Sequence, residues 1–239
     1  LNNTNDPWRA SVEISGPGQS SYQLKDMETA DAACAELARI GWQGEADAVA
    51  SNGDMMHNYA ALLKDHLRGA KAAKALKRKR WSPSLFVVHF GVKGEYPDIA
   101  HHSILFGPRY KGLLDDIYKT GNVPDDFSLY LHHPTATDKK MAPEGYSTFY
   151  ALAPVAHLGK SKVDWDGGFG DQFEDAILDE LERRMIPGLK ANLATSFHYA
   201  PTDFGRDLNA HLGSAFSLEP VLWQSAFFRA HNRDDVISN

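Results

Sequence analysis

The sequence is short of several things that would make its role easy to read, and each shortage excludes something. Its 239 residues hold one cysteine, Cys34, so no internal disulfide and no multi-cysteine metal site can form, which fits a reducing compartment. No apolar run approaches the roughly 20 residues of a membrane-spanning helix, and no basic-then-apolar leader opens the chain, so neither spanning nor secretion is indicated. Peripheral membrane contact stays open. Basic residues are not in excess: 25 against 31 acidic ones give a formal charge of −6, which does not describe a nucleic-acid binder. The glycines of Gly16-Pro17-Gly18 and Gly167-Gly168-Phe169-Gly170 lack the spacing and strand-to-helix context of a phosphate-cradling loop. There is no His-Glu-x-x-His and no Gly-x-Ser-x-Gly elbow, so zincin and serine-hydrolase chemistry are unsupported.

What is present is an ordinary globular balance, 43% hydrophobic and 23% charged, which excludes disorder and fibrous repeats. Residues 1 to 26 read as a frayed or hairpin-like start around Val12 to Ile14 and Tyr22 to Leu24. Apolar residues three or four apart predict a helix over Met27 to Ile40, with Cys34 on its buried stripe, where a thiol is inert. Ala46 to Ser51 reads as a buried strand, and Asp54 as the N-cap of a helix through Leu63. Lys71, Lys74, Lys77, Arg78, Lys79 and Arg80 then form a basic run ending at Trp81. It is either a solvated helix end, favoured by the helix dipole, or a patch for anionic lipid with Trp81 at the interface.

Beyond Pro83 the texture is that of strands: Leu85 to Phe90, His102 to Phe106, Phe127 to His132 and Thr148 to Ala153, separated by Gly, Pro and Asp turns. Helical spacing returns in Tyr110 to Lys119 and, most clearly, in Asp171 to Met185, where Phe173, Ile177, Leu178, Leu181 and Met185 share a stripe. Ala194 to Tyr199 reads as a last strand, followed by a short helix capped by Thr202. The fold class is therefore α+β, a mixed, mainly antiparallel sheet with flanking helices. The histidine pairs His101-His102 and His132-His133 fall at strand ends, where neighbours point to opposite faces, so no metal site is expected. Asp115-Asp116 are either exposed helix acids or a carboxyl whose pKa is raised beside an apolar cavity.

Longer stretches carry a resemblance. His101-His102-Ser103-Ile104-Leu105-Phe106-Gly107-Pro108-Arg109-Tyr110, Asp126-Phe127-Ser128-Leu129-Tyr130-Leu131-His132, Ala142-Pro143-Glu144-Gly145 and Met185-Ile186-Pro187-Gly188-Leu189 resemble bacterial-type phytoene desaturases. So does Gly213-Ser214-Ala215-Phe216-Ser217-Leu218-Glu219-Pro220-Val221-Leu222-Trp223-Gln224-Ser225-Ala226, with Phe227-Phe228-Arg229 and His231-Asn232-Arg233 after it. The likeness runs from about Ala46 to the end. Ala230 stands where the family usually has proline. The family's opening glycine-rich FAD turn and its closing Gly-Ala-Gly-Thr-His-Pro-like segment do not occur, and the chain starts at Leu1 rather than Met, so a partial enzyme, inactive in isolation, is expected.

The resemblance implies carotenoid biosynthesis: desaturation of phytoene toward neurosporene or lycopene, with FAD accepting a hydride while a proton leaves the neighbouring carbon. A related carotenoid desaturase or oxidase acting on a later intermediate, or a non-catalytic carotenoid- or lipid-binding module, are the alternatives. It also implies a layout: residues 1–45 as a poorly matching start, 46–80 as a remnant of a Rossmann-like FAD domain and linker helix, 81–212 as the substrate domain and 213–239 as a return toward the FAD domain. Phe86, Val88, Phe90, Leu105, Leu129 and Tyr150 would wall an apolar cavity. Asp115 or Asp116 would be the acid, Arg109 and Tyr110 its orienters, and His101 or His102 further acid/base groups. Because the substrate dissolves only in lipid, Lys77, Arg78, Lys79, Arg80 and Trp81 become the expected contact of a cytoplasmic protein, peripheral on the inner face of the cell membrane.

Overall fold

The computed structural model describes residues 10–14, 22–27, 51 and 53–228, and the chain divides into two units on either side of Asn52 and Gly53. In the first unit, strands β1 (Ala10–Ile14) and β2 (Tyr22–Met27) pair antiparallel, Val12 opposite Leu24, as the hairpin-like reading of the start expects. Met27 ends β2 instead of opening a helix. The rest of the expected helix to Ile40, with Cys34, and residues 46–50 of the expected strand lie outside the described residues, as does everything past Phe228.

The second unit begins with Asp54, whose carboxylate accepts from the backbone N–H groups of Met56 and His57 and so caps α1 (Met55–His57), which runs on as a π turn over Asn58–Leu62. The helix expected from Asp54 through Leu63 is thus the observed one, and a separate helix, α2 (Leu67–Leu76), follows it. Met56, Ala73, Leu76 and Trp81 close a small core between them.

A five-stranded sheet follows, built of β3 (Ser84–Lys93), β4 (His102–Leu105), β5 (Leu129–His132), β6 (Tyr146–Val155) and β7 (Leu193–Tyr199) in the order β4-β5-β6-β3-β7. Every pairing in it is antiparallel, and it does not close on itself. The helix α3 (Tyr110–Asp115), continued by a π turn over Asp116–Thr120, lies between β4 and β5. Between β6 and β7 comes α4 (Gly170–Arg184), then the short α5 (Leu189–Asn192). Asp171 stands in the first turn of α4 and Arg183 and Arg184 in its last, each placed as the helix dipole favours. After β7, α6 (Pro201–Asp207) starts at Pro201, and the Asp203 carboxylate accepts from the Ala200 N–H at 2.7 Å. Thr202 is therefore not its cap.

The α+β class is the observed one. Strict alternation along β3 decides where the core lies: Phe86, Val88, Phe90 and Val92 all point to one face, where Phe149, Ala151, Ala153, Leu105, Leu129 and Leu131 join them under Phe173, Ile177, Leu178 and Leu181 of α4. Phe86 sits at the centre, stacked on Trp165 at 5.4 Å and met edge-on by Phe173 at 5.1 Å. Five of the six residues expected to wall a cavity are thus in the packed core, because the face they share is the one that α4 covers. Tyr150 is on the other face, since Phe149 opposite Phe90 takes the inward position.

The assignment of faces is checked by a pair of truncations followed by urea melting. Phe86→Ala should cost about 3–5 kcal/mol, whereas Phe197→Ala, on the opposite face and 53% exposed, should cost about 1 kcal/mol or less.

Candidate functional site

The face of the sheet turned away from α4 carries an unbroken cross-strand row. His102 lies opposite His132, His132 opposite Tyr150, Tyr150 opposite His89, and His89 opposite Phe197. Because the side-chain period is two, all five rings share one face. Consecutive centroids are 5.2, 4.6, 5.5 and 4.9 Å apart. A parallel row of Ile104, Tyr130, Leu152, Val87 and Tyr199 lies beside it. The rings are half-buried to exposed, and two of the imidazoles, His89 and His132, stay neutral more readily than free histidine. Burial pushes His89 down, and burial followed by the neighbouring His101 and His102 does the same to His132. Burial, with the Tyr130 hydroxyl beside it, pushes Tyr150 up. The face is an aromatic surface with polar tips on its histidines and tyrosines.

The histidines depart from the alternation expected of them. His101 precedes β4, so the rule does not reach it, and its ring turns to the same side as His102: its Nε2 is 2.7 Å from His132 Nε2, and its Nδ1 bonds Thr137 Oγ1. His102 Nδ1 bonds the Tyr130 hydroxyl at 2.6 Å. The pair His132-His133 does split between faces. His133 is buried against Phe149, with Nδ1 3.1 Å from the Ile99 carbonyl oxygen.

At the other end of β4 the chain turns through Gly107-Pro108-Arg109. A Cβ on Gly107 would come within 2.1 Å of the Asp126 carbonyl oxygen, so only glycine allows the two backbones to pass this closely. That approach delivers Arg109 to Asp126: Nη2 donates to Asp126 Oδ1 at 2.6 Å and reaches Asp116 Oδ2 at 3.4 Å. Arg109 thus reaches Asp116, one of the two acids it is expected to orient, but the nearer carboxylate is Asp126, which the motif reading left without a role. Thr120 Oγ1 donates to Asp116 Oδ1 at 3.1 Å. Asp115 is elsewhere: it is half exposed, pairs with Lys119 at 2.7 Å, and that hydrogen bond holds its carboxyl below the ordinary range. Of the two readings of Asp115, the exposed helix acid is the observed one, and the desolvated, raised carboxyl is not. Tyr110 is exposed and meets Phe106 edge-on at 5.7 Å.

The basic run divides. Lys77, Arg78 and Lys79 are exposed just past the end of α2. Arg80 is engaged, its Nε and Nη2 each donating to Glu219 at 2.6 Å, with Glu219 itself buried. Trp81 is 4% exposed and its Nε1 donates to the Leu76 carbonyl, so it is a core residue and not an interfacial one. The segment after Gly213 runs back along residues 80–84: Ser84 Oγ donates to the Gly213 carbonyl, Ser82 N–H to the Ser217 carbonyl and Glu219 N–H to the Arg80 carbonyl. This return leaves Leu222, Trp223, Phe227 and Phe228 exposed, with Trp223 5.9 Å from the Arg80 guanidinium.

No family model matches the chain. It is similar over 194 residues, at 57% identity, to a lycopene-forming phytoene desaturase of Paracoccus sp. (strain N81106 / MBIC 01143), covering 81% of this chain and 38% of that protein. It is 51% identical over 229 residues to a lycopene-forming phytoene desaturase of Pseudescherichia vulneris, 95% of this chain and 46% of that one. The chain belongs to the phytoene desaturase family. A neurosporene-forming phytoene desaturase of Cereibacter sphaeroides is 42% identical over 195 residues, 80% of this chain and 37% of its own length. The chain thus spans less than half the length of these family members.

Sequence reasoning missed Asp126 and His132 as partners, although a signal for both was available. Once β4 and β5 are taken as an antiparallel pair, the register Leu105 opposite Leu129 brings His102 to His132 in one direction and Arg109 alongside Asp126 in the other. Arg109 holds the Asp126 carboxyl below its ordinary value of 3.8, first by hydrogen bonding and then by charge. A carboxyl depressed in the fold adds stability that is present above the unfolded pKa and is lost as pH falls through the folded one. Replacing Arg109 with Gln should raise the Asp126 titration midpoint toward 3.8 in a carboxyl-detected NMR titration and remove that acid-side loss of stability.

Proposed function

We propose that the chain acts in the FAD-dependent desaturation of phytoene, or of a closely related carotenoid, and that the open face of the sheet is where the polyene lies. The observation that carries this reading is the row His102, His132, Tyr150, His89 and Phe197, a continuous aromatic surface facing away from the core. A long, rigid, apolar polyene is matched by such a surface through area and stacking, with few polar groups needed for orientation. Relatives named as phytoene desaturases support the substrate class. FAD enters the proposal through the family. The described residues do not themselves fit its pyrophosphate: Gly167 and Gly168 lie among Asp164 and Asp166, with Asp164 Oδ1 accepting from the Gly167 N–H at 3.1 Å, and these carboxylates would repel phosphate. What the chain's own residues can do is hold the polyene, exclude water and fix the Arg109–Asp126–Asp116 group. A carotenoid-binding module without catalysis is the second reading, favoured by that same lack of a phosphate cradle among the described residues.

In a complete desaturase carrying these residues, colour formation from phytoene should fall at least about tenfold in Tyr150→Ala, from lost orientation of the substrate, with the fold intact by circular dichroism. Turnover unchanged by Tyr150→Ala and Phe197→Ala together would remove the open face from the mechanism. Neurosporene accepted in preference to phytoene would point to the later-step alternative. The double change Asp115→Asn with Asp116→Asn tests the carboxylates in the same assay.

The site of work is proposed to be the cytoplasmic membrane surface. No helix among the described residues is long and apolar enough to cross a membrane. Exposed Lys77, Arg78 and Lys79, together with exposed Leu222, Trp223, Phe227 and Phe228, combine charge for anionic headgroups with apolar rings for the interface. Neutralising Lys77, Arg78 and Lys79 to Gln should weaken flotation with vesicles of anionic phospholipid by roughly a hundredfold, at about 1 kcal/mol per cation. Flotation indifferent to both the triple change and added salt would exclude this patch.

A further inference from the structure

We propose that His101, His102 and His132 form a binding site for one divalent transition-metal ion of the zinc, cobalt, nickel and copper class, clipping the outermost strand of the sheet to its neighbour. One ring nitrogen from each of the three lies within 4.8 Å of the others. A tetrahedral ion with nitrogen ligands at about 2.0–2.1 Å sets its donors roughly 3.3 Å apart, and the present separations, from 2.7 Å between His101 Nε2 and His132 Nε2 up to that limit, bracket this value. Small ring rotations suffice.

Two features distinguish this cluster from histidines that merely pack together. The nitrogens facing away from the cluster are already held: Thr137 Oγ1 bonds His101 Nδ1, and the Tyr130 hydroxyl bonds His102 Nδ1. Such outer partners fix the ring orientation and tautomer of metal-ligating histidines. Next, the two Nε2 atoms at 2.7 Å can share a single proton only, so two lone pairs converge on one position. An ion at the shared position replaces that proton and takes the lone pairs of both rings. All three donors are imidazoles, which suits borderline ions and not magnesium or calcium. Because His102 is exposed, a fourth position stays open to water or to a ligand on the open face.

The test is titration of the 239-residue chain with Co2+ at pH 7.5, followed by its visible d–d absorption and by calorimetry. The expected result is one equivalent bound, displaced by Zn2+, with binding weakened as pH falls below about 6.5, where free imidazoles take up protons. His102→Gln, at an exposed position, should leave the fold intact by circular dichroism and lower affinity by at least about tenfold. Tyr130→Phe should lower it by about tenfold through the lost outer partner, and His57→Gln should leave it unchanged. No saturable binding to the folded wild-type chain, or equal binding in His102→Gln and His132→Asn, would overturn the proposal.

Discussion

The alternation of β3 is the constraint on which the rest of the unit rests. Its odd neighbours Val87 and His89 and its even ones Phe86, Val88 and Phe90 go to opposite faces, and β3 alone pairs on both edges with long strands, β6 and β7. A shift by one residue would send Phe86 and Phe90 to the open face and His89 into the contact with α4. Burying His89 there without a partner would cost desolvation on top of the lost packing. Core and candidate substrate surface are therefore not independent features. They are the two sides of one register.

A second contact ties the ends of this unit together. The Arg80–Glu219 pair is doubly hydrogen-bonded, and Gln224 Nε2 donates to both the Arg80 and Glu219 carbonyls. Glu219 is buried while Arg80 is half exposed, so the acid's desolvation is met by a cation that still reaches solvent. That geometry is less costly than a fully buried pair. It explains why the long motif from Gly213 to Gln224 reads as one block: its glycine, serine and glutamate each bond to residues 80–84, and Gly213, at φ 62, passes so close to the Pro201 carbonyl that a Cβ would come within 2.2 Å of it. It also removes Arg80 and Trp81 from any free surface, leaving the three preceding cations to face outward.

Much of the architecture was legible because period and packing coincide. The stripe Phe173, Ile177, Leu178 and Leu181 of α4 and the alternating runs of β3 and β6 were readable, since a regular element buries whatever its period puts on one side. Which side of the sheet is covered was not readable: alternation separates Phe90 from His89 but does not say that α4 comes down on Phe90. Tyr150 was grouped with Phe86 for the same reason, as only the pairing partner settles its face. His101 escaped because the two-residue period stops where the strand stops. Asp126 escaped because its partnership with Arg109 is made by a hairpin register and a glycine contact, neither of which is local in sequence. Asp115 and Asp116, adjacent in sequence, are separated by the helix they sit on, one turned to Lys119 and solvent and the other to Arg109 and Thr120.

The distribution of charge along β4 follows from the same geometry and bears on what the open face can accept. At one end stands a guanidinium already neutralised by Asp126 and Asp116; at the other stand the imidazoles of His101, His102 and His132, of which His132 is held toward neutrality by burial and by its neighbours. Between them the open-face residues Ile104, Tyr130, Tyr150 and Leu152 carry no charge. An apolar chain laid across such a face leaves no unpaired ion to desolvate, the term that would otherwise dominate its binding. Charge enters this surface if its imidazoles are protonated or hold a metal ion, and three of them, His101, His102 and His132, gather at the β4–β5 edge, where His102 keeps its contact with solvent. The candidate substrate surface and the histidine edge therefore occupy one row, which runs across the whole sheet from His102 on one edge strand, β4, to Phe197 on the other, β7, with its histidines gathered toward the β4 end.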